Sequence, residues 1–254
     1  MGRHNLLRKI AALFLALALI LPLVPDLETG AQAASDGMIR VKLTRLGTRT
    51  SITFTPNCAY YVNGNSSQKI PSGQSATVSL SGGQLTLSSG GVQLNLGSSF
   101  TLLRASGGNA GVRFTSPSLS NVFSGDLRFT AGSSITVILT IYVENYLYGV
   151  VGYEMSNAWP LEALKAQAVA ARNYVMRKKA TRTGSSYDVT DTTSDQVFKG
   201  YNSGYSNVIR AVDETKGVLV YSGSSLASCY YGASNGGQTE STKNVWGGNL
   251  SYSV

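Results

Sequence analysis

Between Met38 and about Ile141 apolar and polar positions alternate. Ile39, Val41 and Leu43 are interleaved with Arg40, Lys42 and Thr44, and Ile52 and Phe54 with threonines. Val78 and Leu80, Leu85 and Leu87, then Val92, Leu94 and Leu96 continue the rhythm. A period of two puts successive side chains on opposite faces, the signature of half-buried strands. Turn-forming clusters separate the runs: Asn63-Gly-Asn65, Pro71-Ser-Gly73, Ser81-Gly-Gly83, Ser88-Ser-Gly-Gly91 and Ser106-Gly-Gly-Asn109. The pattern predicts a small antiparallel barrel or sandwich with a repeated hairpin between Ser81 and Gly97. Two more strands are expected over Phe123–Phe129 and Ile135–Ile141. The second is apolar almost throughout, so it is expected to be central and covered on both faces.

The period then lengthens. Val143, Leu147, Val150 and Val151 share one side of a short helix that Gly152 can end. Pro160 suits the first helical position, where its missing N–H costs nothing. A helix is predicted from there to about Lys179, closing on Arg177, Lys178 and Lys179, cations that suit a helix C-terminus. Leu161, Leu164, Ala168, Ala171 and Val175 form its apolar stripe. Ala163, Ala166 and Ala170 keep the other faces thin, so close packing on several sides is expected. Gln167 and Arg172 interrupt this helix. A buried amide or guanidinium needs partners, so these two are either structural clamps or site residues. A further helix is predicted over Ser206–Thr215, ended by Gly217, with strands at Val218–Tyr221 and Leu226–Tyr231 around the Ser222-Gly-Ser-Ser turn. The fold class is α+β: a strand-rich N-terminal region, then a mixed domain built around a buried Ala-rich helix.

The first residues carry a different message. Arg3, Arg8 and Lys9 precede the apolar run Ile10–Leu21, Pro22 and Pro25 break it, and Ala31-Gln-Ala33 offers small residues for cleavage. This is the layout of a secretory signal peptide over residues 1–33. The run is short for a membrane span, which needs about 20 apolar residues; an uncleaved N-terminal anchor is the alternative. Both place the remainder outside the cytoplasm, with membrane contact only through that segment. Only 13% of the 254 residues are charged while 28 are glycine, so the surface is polar through Ser, Thr, Asn and Gly. The net charge of +8 suggests an anionic partner. No dense Lys/Arg run or nucleic-acid motif is present, which argues against nucleic acid. Export permits disulfides. Cys58 and Cys229 allow one internal pairing, or they remain unpaired as small hydrophobes.

One carboxylate stands out. Glu154, flanked by Tyr153 and Met155 with Trp159 close by, lies in the predicted connection between two helices. Packing of these neighbours around it would raise its pKa and suit it to acid catalysis; the plainer reading is a loop carboxylate accepting backbone N–H bonds. No second carboxylate presents itself in this stretch. Glu162 is expected to pair with Lys165 or face solvent, and Glu144 could cap its helix.

Val150-Val-Gly-Tyr-Glu-Met155, followed by Trp159-Pro-Leu-Glu-Ala-Leu-Lys-Ala-Gln-Ala-Val-Ala-Ala-Arg172, resembles the signature of the stage II sporulation protein D family (SpoIID/LytB domain). The resemblance implies that residues 123–254 form a SpoIID/LytB-like catalytic domain, expected to be incomplete at its C-terminus because members usually continue further. It leaves 34–122 as a β-rich region that is either a glycan-positioning accessory or a scaffold. Members include peptidoglycan lytic transglycosylases, in which the glutamate of the Glu-Met pair is the acid/base, here Glu154. Others enhance a cell-wall amidase without being enzymes, and the domain also occurs outside sporulation.

Tyr187–Gly200 resembles a second family block. Some members place zinc-binding cysteines and a histidine there; this chain has Thr190, Ser194 and Asp195, and its single histidine is His4. Tetrahedral zinc needs a set of such ligands, so neither a structural zinc nor any other cofactor is expected. Asp188, Asp191 and Asp195 do not follow the calcium-loop spacing and read as turn and cap carboxylates. Gln196 matches the block. Further on, Ser234, Gly236, Gly237 and Thr239 match a family segment in which Tyr231 stands where a histidine is usual. The resemblance therefore implies Glu154 as the catalytic residue, with Arg172, Gln196, Tyr231, Ser234, Gly236, Gly237 and Thr239 binding the glycan strand. Peptidoglycan, and for the enhancer reading an amidase, are the expected partners.

Overall fold

A computed structural model describes residues 37–232, 234, 237–248 and 250–252. The expected signal segment, with its basic residues and proline break, lies outside the described residues, as does Gly236. Residues 38–254 cluster as one unit. In chain order the elements are β1 (Met38–Lys42), β2 (Ser51–Pro56), β3 (Tyr60–Val62), β4 (Asn65–Ile70), β5 (Ala76–Ser81), β6 (Gln84–Ser89) and β7 (Val92–Asn95). There follow β8 (Ser99–Arg104), β9 (Val112–Ser116), β10 (Asp126–Thr130), β11 (Thr136–Tyr142), α1 (Val143–Glu154) and α2 (Leu161–Thr181). The last are β12 (Val189–Thr190), α3 (Ser206–Glu214), β13 (Tyr221–Ser222), β14 (Ser225–Leu226) and α4 (Thr242–Trp246).

The strands form a seven-stranded sheet, β12-β1-β11-β10-β8-β3-β4, and a five-stranded sheet, β7-β6-β5-β2-β9. Among the described strands only the β1–β12 pair is parallel. The hairpin expected between Ser81 and Gly97 is the β5-β6-β7 meander, with Val78 opposite Leu87 and Leu87 opposite Leu94. β11 is central, as its apolar sequence predicted, and lies between β1 and β10. Met38 of β1 pairs with Tyr142 at the end of β11, so strands from both sides of residue 123 share one sheet.

Packing explains why the sheets hold together. The six phenylalanines among the described residues form a continuous series of ring contacts. Phe100 stacks on Phe129 at 5.0 Å, Phe129 on Phe54 at 6.1 Å, and Phe54 meets Phe114 edge-on at 6.2 Å. Phe114 leads to Phe123 at 5.2 Å, Phe123 to Phe198 at 5.6 Å, and Phe198 stacks on Tyr146 of α1 at 5.0 Å. Phe54 and Phe129 belong to different sheets, so the series joins the two sheets and carries the core to the helices. Each such ring removes roughly 150–250 Å² from water, which makes these contacts dominant in the core.

The structure departs from the pattern in several places. Strands β3, β4, β8, β9 and β12 and helix α4 are additional to those it predicts. β4, Asn65-Ser-Ser-Gln-Lys-Ile70, is polar because it is a sheet edge with mostly exposed side chains. Helix α1 continues through Gly152 to Glu154. Gly152 is instead a packing position, since a Cβ there would lie 2.5 Å from the Tyr205 ring. Pro160 lies just outside α2, with an extended ψ of 136°. The two strands expected after α3 reduce to a two-pair ladder, Tyr221 with Leu226 and Ser222 with Ser225.

Asn173 of α2 supplies what that short ladder lacks. Its amide donates to the carbonyls of Val220 (2.7 Å) and Ala227 (3.1 Å) and accepts from the Val220 N–H (2.9 Å). A side chain thus stands in for a strand, because backbone groups that are buried require partners from some source.

Candidate functional site

Glu154 is the last residue of α1, and the Met155 N–H closes the helix on the Val151 carbonyl at 3.0 Å. Its half-buried side chain opens onto a cleft of about 280 Å³. Tyr153, Tyr174, Thr193, Asp195, Tyr230 and Tyr231 are among the residues that line it. Desolvation raises the Glu154 pKa above the ordinary glutamate value. No hydrogen bond from a described residue stabilises the carboxylate. Of the neighbours expected to cover it, Tyr153 lines the cleft and Met155 packs against the core, whereas Trp159 is 51% exposed and outside the lining. Lys199 sits 4.0 Å from the centre of the Tyr153 ring, a cation–π contact beside the acid.

Tyr231 shares the cleft with Glu154 and is tied to the interior. Gln196, buried, donates its Nε2 to the Tyr231 hydroxyl at 3.0 Å and to the Ala171 carbonyl at 3.4 Å. Its Oε1 accepts from the hydroxyl of buried Tyr146 at 3.3 Å. Burial raises the Tyr231 pKa, the Gln196 bond opposes this, and the nearby Glu154 charge adds to it. The phenol is therefore protonated and can donate into the cleft.

A second carboxylate, Asp195, also lines the cleft, but its side chain is only 1% exposed and already occupied. Oδ1 accepts from the Tyr174 hydroxyl at 3.2 Å and faces Lys178 at 3.3 Å. Oδ2 accepts from the Thr190 N–H at 2.8 Å and its hydroxyl at 3.1 Å, with Arg182 at 3.5 Å. The other carboxylates of this block are structural too. Asp188 pairs with Arg40 at 2.6 Å, and Asp191 accepts from the N–H groups of Thr44 at 2.7 Å and Arg45 at 3.1 Å. They attach the 188–198 segment to β1 and the turn after it. Cys58 and Cys229 are both free thiols; Cys229 lines the cleft.

The remaining residues singled out by sequence fall elsewhere. Arg172, 1% exposed, ion-pairs with buried Glu144 at 2.6 Å. It also donates to the Val218 carbonyl at 3.2 Å, and Glu144 accepts from the Gly217 N–H at 3.1 Å. Of its two open readings the geometry supports the clamp: the pair fastens α1, α2 and the turn after α3, and Arg172 does not line the cleft. Glu144 acts as its partner rather than as a helix cap. Gln167 has a buried Nε2 with no hydrogen-bond partner among the described residues. Glu162 pairs with Lys165 at 2.9 Å. Ser234, Gly237 and Thr239 are exposed and do not line the cleft. Sequence reasoning missed Tyr146 and Tyr174. Tyr174 lies two turns from Gln167 on the same face of α2, a spacing that could have pointed to it.

Comparisons with known proteins place part of this chain in a family. Residues 131–221 match the family model described as Stage II sporulation protein (SpoIID), a span that includes Glu154 and Gln196 but ends before Tyr231. The chain is 49% identical over 109 residues to the protein named amidase enhancer of Bacillus subtilis, covering 42% of this chain and 14% of that one. It is 40% identical over 135 residues to an uncharacterized protein of Brachyspira hyodysenteriae, covering 51% and 36%. Stage II sporulation protein D of Bacillus subtilis is 31% identical over 139 residues, covering 48% and 39%. The matches thus span well under half of each relative's own length. The segment that holds α1, α2 and Gln196 belongs to the stage II sporulation protein D (SpoIID) family.

Proposed function

We propose that this chain acts on the bacterial cell wall as a peptidoglycan lytic transglycosylase with Glu154 as its single acid/base. The observation that carries the reading is the contrast between the two carboxylates of the cleft. Glu154 is desolvated and has no internal hydrogen bond from a described residue, whereas Asp195 is committed to Lys178, Tyr174 and Thr190. A hydrolase would need a second carboxylate to activate water or attack the sugar. A transglycosylase needs one. The Glu154 carboxyl gives its proton to the glycosidic oxygen as the C1–O bond breaks. The resulting carboxylate takes the proton of the C6 hydroxyl of N-acetylmuramic acid, whose oxygen closes on C1. The products are a free sugar end and a 1,6-anhydro end, with no water consumed and the acid restored. The internal nucleophile is already tethered, which lowers the entropic cost of attack. Tyr231, oriented by Gln196, can hydrogen-bond the strand while its ring lies against a sugar face.

The similarity to the amidase enhancer favours a second reading, a wall-binding protein that stimulates an N-acetylmuramoyl-L-alanine amidase without cleaving glycan. Both readings place the chain outside the cytoplasm, which the basic and apolar segment before Pro22 would provide. Among the described residues no helix is long and apolar enough to cross a membrane. Mass spectrometry of purified strands after incubation with the protein and its Glu154→Gln variant decides between them. New 1,6-anhydro ends made only by the unmodified protein establish cleavage. Reducing ends mean hydrolysis, and no cleavage by a folded protein favours the enhancer.

A further inference from the structure

The Glu154 cleft does not end at its own walls. A second hollow, of about 310 Å³, shares Tyr174, Cys229 and Tyr230 with it, so the two adjoin. Its outer wall is cationic: Arg177 and Lys178 from the last turns of α2. These charges are not equally committed. Lys178 is shared with Asp195 at 3.3 Å and lies 5.5 Å from the centre of the Tyr174 ring. Arg177 is exposed and uses its Nη1 on the Leu226 carbonyl at 3.0 Å; no carboxylate among the described residues lies within ion-pair distance of it. Tyr230 of the lining packs against Trp246, ring centres 4.5 Å apart and planes tilted by 32°, and both rings are more than half exposed. The cleft and the hollow beside it thus carry, in turn, a desolvated acid, tyrosine rings and a guanidinium with no carboxylate partner among the described residues.

We infer that this second hollow is a subsite for a sugar residue bearing a carboxylate, held by Arg177 with Lys178, on the same strand whose scissile bond faces Glu154. The inference rests on the glycan reading of the cleft and specifies which strands it accepts. Charge complementarity favours an anionic occupant, since an Arg–carboxylate contact is stronger than a neutral hydrogen bond and geometrically selective. Exposed aromatic rings beside it suit the apolar face of a sugar rather than a free ion. Two sources supply the same chemistry: the lactyl carboxylate of a bare muramic residue, or a carboxylate of an attached stem peptide.

The test is calorimetric binding to the Glu154→Gln chain, which leaves strands uncut. Three probes of equal length are compared: bare strands with free lactyl carboxylates, strands still carrying stem peptides, and bare strands with the lactyl carboxylates converted to neutral amides. At least one anionic probe is expected to bind about tenfold more tightly than the amide, the scale of one charge-assisted hydrogen bond. That advantage shrinks as salt is raised. It is lost in Arg177→Gln, which can keep the bond to Leu226, and partly kept in Arg177→Lys. Which anionic probe is preferred identifies the source of the carboxylate. Equal binding of all three, or an advantage untouched by Arg177→Gln in a chain of unchanged melting temperature, overturns the subsite. If the unmodified protein still cuts the strands in that case, the catalytic reading survives. If no strand binds, both fall.

Discussion

Gln196 donates its amide to the Tyr231 hydroxyl across 3.0 Å, and this bond connects the cleft to the interior. The same amide is oriented from behind by the hydroxyl of Tyr146 at 3.3 Å. Tyr231→Phe is expected to keep the fold, since the residue is on the surface, yet lower strand cleavage about 10- to 100-fold, the scale of one or two lost hydrogen bonds to the reacting strand. Tyr146→Phe should also cost about 1–3 kcal/mol of stability, because it leaves Gln196 with a buried acceptor that has lost its donor. Cleavage rates and denaturant melts of the two variants separate these effects.

Glu154 carries a pH prediction. Its folded pKa is raised by desolvation, so protonation is favoured by folding. The stability this contributes is fully present below the unfolded glutamate pKa and is lost as pH rises through the folded value. Glu154→Gln removes the cost of the charged form. At pH 7 it should melt at or slightly above the parent temperature while forming no 1,6-anhydro ends. At pH 4 the difference should vanish. Melting curves at both values check the sign.

The Arg172–Glu144 pair sits at 1% and 5% side-chain exposure. Arg172→Ala should destabilise by about 3–5 kcal/mol, since it leaves Glu144 buried without its cation. The double change Arg172→Met with Glu144→Leu should recover much of that loss. Urea midpoints for the single and double variants test whether the pair is a clamp. Selective loss of glycan binding, with stability unchanged, would instead assign Arg172 to the site.

Gly149 of α1 faces Phe198, and a Cβ there would come within 2.6 Å of the ring and 2.8 Å of the Gly200 nitrogen. Gly149→Ala is therefore expected to destabilise by about 1–3 kcal/mol or more, despite the better helix propensity of alanine, because backbone cannot yield as a flexible side chain does. Thermal unfolding measures it directly.

Asn173 holds Val220 and Ala227 by three hydrogen bonds. Asn173→Ala should loosen the β13–β14 hairpin, with a loss of about 1–3 kcal/mol and faster proteolysis between residues 218 and 230. Cleft binding should fall with it, since Tyr230 and Tyr231 follow this hairpin directly. Limited proteolysis with mass mapping of the first cut is the measurement.

Much of this protein is local and was legible in residue order. Alternation marked β1, β2, β5 and β6, because one face of each is largely buried and the other is not, and it continued into the mostly exposed edge strand β7. The apolar run Thr136–Ile141 marked a central strand, and the alanines with Pro160 and the terminal cations marked α2. The motif around Glu154 was legible too, but of its sequence neighbours only Tyr153 lines the cleft; the other walls come from distant segments. Tertiary structure alone decided which polar groups are spent and which are available. Nothing in the spacing of Arg172 and Glu144, 28 residues apart, says that they neutralise each other. Asp195 and Glu154 look alike as carboxylates until Lys178, Tyr174 and Thr190 occupy the first and burial isolates the second. The same holds for Tyr231, whose hydroxyl is held by Gln196, itself held by Tyr146, from two other segments. A residue's type states what it can bond to. Only long-range packing determines which of those bonds are already made.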